Sequence, residues 1–111
     1  PGLSDSGWLR ALHSVAMPVV RAFRPQVLVT QHGADTHFQD PLAHFALSVD
    51  AQRDAMIALH KLSHEVCGGR WVALGGGGYE VGDVVPRTWT HLTAIAAHRP
   101  ILPGVAMPGM A

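Results

Sequence analysis

Apolar positions along the chain follow two periods, and their alternation sets the expected architecture. Trp8, Leu12, Val15, Val19 and Phe23 recur at three- and four-residue steps, which predicts an amphipathic helix over 4–23 with those five side chains inward. Ser4 or Asp5 is expected to cap it, and Pro18, inside the pattern, to kink or break it. After Pro25, the run Gln26-Val27-Leu28-Val29-Thr30-Gln31 is β-branched and apolar at consecutive positions, as in a parallel strand buried on both faces. From His32 to Leu47 no period holds, and this polar stretch with Gly33 and Pro41 reads as a long ordered loop, a kind that tends to be functional. Ala55, Leu59, Leu62 and Val66 mark a second helix over 50–67, started by Ser48 or Asp50 and ended by Gly68-Gly69. Trp71-Val72-Ala73-Leu74 is a second short strand. Val85, Trp89, Leu92 and Ala96 predict a third helix over roughly 83–97, capped by Asp83, with Pro86 in its first turn where proline is tolerated.

The order helix, strand, helix, strand, helix is a βαβ unit with flanking helices, an α/β class that implies parallel pairing. Two strands alone make a poor parallel sheet, because such sheets need both faces covered and usually several strands. The chain also opens at Pro1-Gly2 without an initiator methionine. Both features lead us to expect part of a larger domain, residues 1–99, followed by an irregular Pro/Gly-containing tail, 100–111.

Composition narrows the function classes. The 111 residues are 48% apolar, enough for a packed core, and eight basic side chains balance eight acidic ones. A net charge of zero argues against nucleic-acid binding, which usually shows a basic patch. A single cysteine, Cys67, excludes an internal disulfide and fits a reduced, cytoplasmic setting, where it should be buried and inert. No apolar run approaches the ~18 residues that span a bilayer, and no signal-peptide pattern opens the chain. Trp8 and Trp89 read as core. Eight histidines raise interest without locating a site.

Candidate chemistry gathers at strand ends. In open α/β sheets ligands bind beyond the carboxyl ends of the strands. Two segments leave such ends here: Gln31-His32-Gly33-Ala34-Asp35-Thr36-His37 and Gly75-Gly76-Gly77-Gly78-Tyr79. This alone brings Asp35 and Tyr79 to one sheet edge. Four consecutive glycines are entropically costly and make sense where backbone must approach another group closely or take positive φ. No Lys-Ser/Thr pair follows, and the spacing is not GxGxxG, so neither common phosphate loop fits. A tyrosine directly after the glycines points instead to a phenol presented over a pocket.

Four motifs occur in order: Gln31-His32-Gly33-Ala34-Asp35, Asp40-Pro41-Leu42, Leu74-Gly75-Gly76-Gly77-Gly78-Tyr79 and Arg87-Thr88-Trp89-Thr90. With them the sequence resembles the histone deacetylase superfamily over about residues 1–99, and the phrase through Asp35-Thr36-His37 is most similar to its bacterial AcuC-type acetoin utilization branch. The resemblance implies the C-terminal part of a parallel-sheet, three-layer α/β/α (arginase/deacetylase-like) domain. It implies Asp35 as one zinc ligand, Leu42 as an apolar wall of the acyl-lysine tunnel, Gly77 and Gly78 as pocket lining, and Tyr79 as the catalytic residue that hydrogen-bonds the substrate carbonyl. The implied reaction is metal-assisted hydrolysis of an acetyl-lysine-type amide, on an acetylated protein or a small acyl-amide. Zinc polarises the carbonyl and acidifies its water, and a histidine base accepts the proton.

The family's Asp-x-His ligand pair and tandem-histidine base belong to a more N-terminal segment than any part of this chain. Asp35-Thr36-His37 spells Asp-x-His but stands where the family has its lone second aspartate, so His37 is expected to order the loop or line the entrance. Catalytic zinc normally takes three protein ligands, so the chain by itself is expected to be inactive and to bind zinc poorly. Asp40 should pin the loop through backbone hydrogen bonds, and Arg87 should anchor it electrostatically. His60 and His64, four apart, can share a metal but read more simply as a solvated face near a helix C-terminus. Two alternatives remain: a non-catalytic binding module or residual fragment of the same fold, and a nucleotide-binding α/β domain, which the missing Lys and Ser/Thr count against.

Overall fold

The computed structural model describes residues 1–102. Its elements are α1 (Asp5–Ala11), a π-helical turn (Leu12–Ala16), α2 (Met17–Phe23), β1 (Leu28–Gln31), a 3-10 turn (Ala34–Thr36), α3 (Val49–Cys67), β2 (Trp71–Leu74) and α4 (Val84–Ala96). β1 and β2 pair in parallel, from Leu28 beside Trp71 to Gln31 beside Leu74, so the α/β class and the element order hold. Residues 103–111, most of the expected irregular tail, lie outside the described residues.

Pro18 does not break the first helix. Proline has no N–H to donate, and its ring crowds the carbonyl four residues back. The turn ahead of it widens instead: the Met17 N–H bonds the Leu12 carbonyl, five residues back. That extra residue rotates everything downstream. The buried residues are Leu12 and Met17, five apart, with Trp8, Leu9 and Val20 packed beside them. Val15, Val19 and Phe23, expected inward from an unbroken 3.6 period, are 62%, 63% and 79% exposed. Neither expected cap acts on this helix. Ser4 makes no side-chain cap bond, and the Asp5 carboxylate accepts from the Ser48 N–H (2.7 Å) and Oγ (2.6 Å). Ser48 Oγ in turn accepts from the Ala51 N–H at 3.1 Å, capping α3. Asp5 thereby ties the start of α1 to the start of the central helix.

α3 follows its predicted stripe. Ala55 and Leu62 are buried and Leu59 and Val66 pack partly buried against them, while Gly68, at φ 63°, ends the helix in the left-handed region. Cys67 is buried, as expected. α4 is rotated by one position from its predicted face. Val84, Thr88, His91, Leu92 and Ile95 are buried, and of the expected inward set only Leu92 is fully so; Ala96 is exposed. The cause is polar: Thr88 turns inward to donate to Gln52 Oε1 at 2.7 Å, a partner no apolar pattern registers. Asp83 does not cap the helix with its side chain. The Glu80 carboxylate accepts from the Asp83 and Val84 N–H groups at 2.9 and 2.8 Å.

The helices cover one face of the sheet. Leu28, Trp71 and Ala73 pack into the core, whereas Val29, Val72 and Leu74 on the other face are 58%, 45% and 50% exposed. The expectation of strands buried on both faces is therefore not met among the described residues. None of the described helices is long and apolar enough to cross a membrane.

Candidate functional site

Parallel pairing continues past the strands into the loops that matter. The His32 N–H bonds the Leu74 carbonyl at 2.8 Å, and the Ala34 N–H bonds the Gly77 carbonyl at 2.7 Å. The turn bearing Asp35 and the glycine loop are thus joined at the C-terminal edge of the sheet, where ligands bind in this architecture. Close approach explains the glycines. A Cβ on Gly76 would sit 3.1 Å from the Gly33 Cα, and one on Gly77 would overlap the Asp35 carboxylate. Gly33 and Gly77 both pack their backbone directly against the Asp35 carboxylate, which a side chain at either position would prevent.

A cavity of about 500 Å³ opens beside this contact, bordered by Asp35, Gly77, Thr30, His32, Gln52 and Thr88. Leu42 and Tyr79 do not line it; they stand on the outer side, 63% and 49% exposed. Gly78 lies between α4 and the Asp35 turn: a Cβ there would meet Val85 Cγ2 at 2.8 Å and Ala34 Cβ at 3.2 Å.

Asp40 joins the outer residues. Its buried carboxylate accepts from the Leu42 and Ala43 N–H groups through Oδ2 and from the Tyr79 N–H through Oδ1, each at 2.9 Å. Burial pushes this carboxyl up, but the N–H groups of Ala43, Leu42, Tyr79 and Glu80 outweigh it and hold the pKa below the usual value. One side chain thereby sets the backbone at both Leu42 and Tyr79.

His37 is buried and stacks on Phe38 with centroids 4.5 Å apart, and its Nδ1 accepts from the Gln39 N–H at 3.1 Å. Burial, then the nearby Arg87 charge, pushes its pKa down. Arg87 pairs with Asp83 at 3.5 Å, one turn earlier on its own helix, with both side chains substantially exposed.

Two polar groups behind the site had no signal in the apolar pattern. Gln52, buried on α3, donates Nε2 to the Thr36 Oγ1 (2.9 Å) and the Ala34 carbonyl (3.3 Å) while its Oε1 accepts from Thr88. It clamps the turn on either side of Asp35. Trp71 Nε1 donates to Thr30 Oγ1 at 2.7 Å, and that hydroxyl lies 2.6 Å from His32 Nε2. Desolvation lowers the pKa of His32, so its ring is held neutral there. Trp89, expected in the core, is part-buried and donates Nε1 to the His32 carbonyl at 2.9 Å.

Comparison with known proteins gives this edge its context. The family described as the histone deacetylase domain matches residues 1–96, and the chain belongs to that family. Within it, the chain is 40% identical over 88 residues to the acetoin utilization protein AcuC of Bacillus subtilis, covering 79% of this chain and 23% of that protein. It is 33% identical over 92 residues to AcuC of Staphylococcus xylosus (83% and 24%), and 31% identical over 104 residues to AcuC of Staphylococcus aureus strain MRSA252 (94% and 27%). The crystal structure of the HDA15 HD domain superposes with a TM-score of 0.74 at 21% identity, over 86% of this chain and 26% of that one, and shares the fold. The chain spans about a quarter of the length of the curated relatives it matches.

Proposed function

We propose that residues 1–99 carry the tyrosine-bearing share of a zinc-dependent deacetylase that hydrolyses an acetyl-lysine-type amide. The observation that supports it most is the direct approach of the glycine loop to the Asp35 carboxylate at the sheet edge, within a chain of the histone deacetylase domain family. Asp35 fits as one ligand: a carboxylate oxygen donor packed directly against the Gly77 backbone at the border of the cavity. One carboxylate is a third of what catalytic zinc needs, so the remaining ligands and the general base would come from outside this chain. When bound, zinc would polarise the acyl carbonyl and acidify a water. This chain's own part is orientation and charge stabilisation. The Tyr79 hydroxyl donates to the carbonyl oxygen as negative charge develops, Leu42 lines the approach of the acyl-lysine stem, and Asp40 holds both in place.

The substrate is an acetylated protein or a small acyl-amide, the enzyme is cytoplasmic, and the names of the relatives favour a connection with acetoin utilization. Tyr79→Phe in the whole enzyme should lower kcat about 10²–10³-fold while leaving the melting temperature unchanged, the usual loss for one transition-state hydrogen-bond donor. Undiminished turnover by that variant would remove Tyr79 from the mechanism. The isolated chain should show no deacetylation at all.

A further inference from the structure

Away from the sheet edge, three histidines converge at the C-terminal end of α3. His60 and His64 lie one turn apart on that helix, and their Nε2 atoms are 3.1 Å from each other. His98 follows α4 and reaches the same point, its ring centroid 4.7 Å from that of His60 and 5.6 Å from that of His64. One ring nitrogen from each of the three lies within 4.8 Å of the others. We propose that His60, His64 and His98 form a second cation site, independent of Asp35, for a borderline divalent metal of the Zn²⁺ type that ties α3 to the end of α4.

The metric fits. Zinc–imidazole bonds of about 2.0–2.1 Å in a tetrahedron place ligand nitrogens about 3.3 Å apart. The His60–His64 pair already has that spacing, and only His98 has to close by a small rotation on a flexible exposed side chain. Three imidazoles leave a fourth position for water.

Several features hold the rings in place. The His60 ring stacks on Trp71 at 5.1 Å and 20°, which fixes its plane. His64 lies over Gly69, where a Cβ would come within 2.6 Å of the ring, so the glycine after α3 makes the room it occupies. His98 takes φ 61°, a left-handed conformation uncommon outside glycine, asparagine and aspartate, and it is this turn that carries the chain back toward α3. His60 and His64 alone would form a solvated helix face; the third histidine, His98, turns the pair into a three-nitrogen cluster. Imidazole donors select Zn²⁺, Ni²⁺ or Cu²⁺ over Mg²⁺ or Ca²⁺.

The test separates this site from the catalytic one. In the whole protein with Asp35→Ala, stripped of metal, titration with Zn²⁺ should still fill one site and raise the melting temperature, while Mg²⁺ should do neither. Adding His98→Asn, which retains access to the left-handed conformation, or His64→Gln, which retains the helix, should weaken that binding by more than the roughly 10–100-fold typical of losing an outer partner. The zinc-dependent shift should vanish with it, and the metal-free melting temperature should stay in place. His13→Ala, an exposed histidine on the π-helical turn, should change nothing. Equal zinc binding with and without His98 and His64 would overturn the site, as would equal loss in the His13 variant.

Discussion

Replacing Asp40 should loosen two parts of the site at once. Its carboxylate accepts three backbone N–H bonds, from Leu42, Ala43 and Tyr79, each at 2.9 Å. Hydrogen bonds to a charged acceptor contribute about 1.5–3 kcal/mol each where the freed donor stays buried, and about 1 kcal/mol net where water can replace the acceptor. Leu42 and Tyr79 are well exposed, so water reaches their N–H groups and the lower figure applies. Asp40→Ala should therefore cost about 3 kcal/mol. Asp40→Asn keeps one oxygen, which can serve Leu42 and Ala43, but turns an amide N–H₂ toward the Tyr79 N–H; about 2 kcal/mol is expected.

The pH dependence follows from the sign of the shift. The folded pKa of Asp40 lies below its unfolded value. Its contribution is fully present above the unfolded pKa of about 3.9 and is lost as pH falls through the folded value. The wild-type advantage over Asp40→Asn should accordingly be flat at neutral pH and shrink only below about pH 4. Urea denaturation of wild type and both variants between pH 3 and 7 measures this, with kcat/KM on an acetyl-lysine peptide followed in parallel. Activity should fall in both variants, because the Tyr79 backbone loses its anchor. Asparagine and alanine variants as stable as wild type at pH 7 would show that the three bonds do not hold these loops.

Gly77→Ala would drive a methyl group into the Asp35 carboxylate; it should lower kcat/KM about 10²-fold, the usual effect of an ångström-scale misplacement, and wild-type turnover would contradict the proposed contact. Gln52→Leu leaves the Thr88 and Thr36 hydroxyls and the Ala34 carbonyl without their shared partner and should lower stability by about 2 kcal/mol in urea melts. His91 Nδ1 is buried without a hydrogen-bond partner among the described residues, so His91→Leu should raise stability by about 1 kcal/mol, and a lower midpoint would refute the assignment. Burial first lowers the pKa of His32, His37, His60 and His91 alike. The unfolded chain then binds more protons, so stability should decline as pH drops below about 6.5, measurable as a falling melting temperature between pH 7 and 5.

Element type and order were legible because they rest on local rules: a β-branched run and a second short apolar run, three helical periods and glycine at the end of α3. Helix faces were less so. In the first helix a single π-helical turn, raised by Pro18, displaced Val15, Val19 and Phe23 from the core. In α4 the inward residue is Thr88, whose preference comes from Gln52, 36 residues away. Caps shifted for the same reason. Asp5 and Glu80 found backbone or hydroxyl partners that only the tertiary arrangement supplies. The sheet-edge rule brought Asp35 and the glycine loop together correctly, but it could not foresee that Asp40 would organise Leu42 and Tyr79, since three converging N–H groups leave no trace in spacing.

The mismatch at the sheet carries information of its own. Consecutive apolar residues in β1 and β2 describe strands with two buried faces, yet Val29, Val72 and Leu74 stand on a face that no described helix covers. Side-chain pattern records burial in the assembled domain, whereas exposure records only what these residues cover by themselves. Both statements hold if the face is closed by polypeptide beyond this chain, and relatives about three and a half times its length have that polypeptide to spare. The same reasoning applies to the chemistry. On the proposed function, Asp35 is one zinc donor where three are needed. An uncovered apolar face and, on the proposed function, an incomplete ligand set both call for structure beyond these residues.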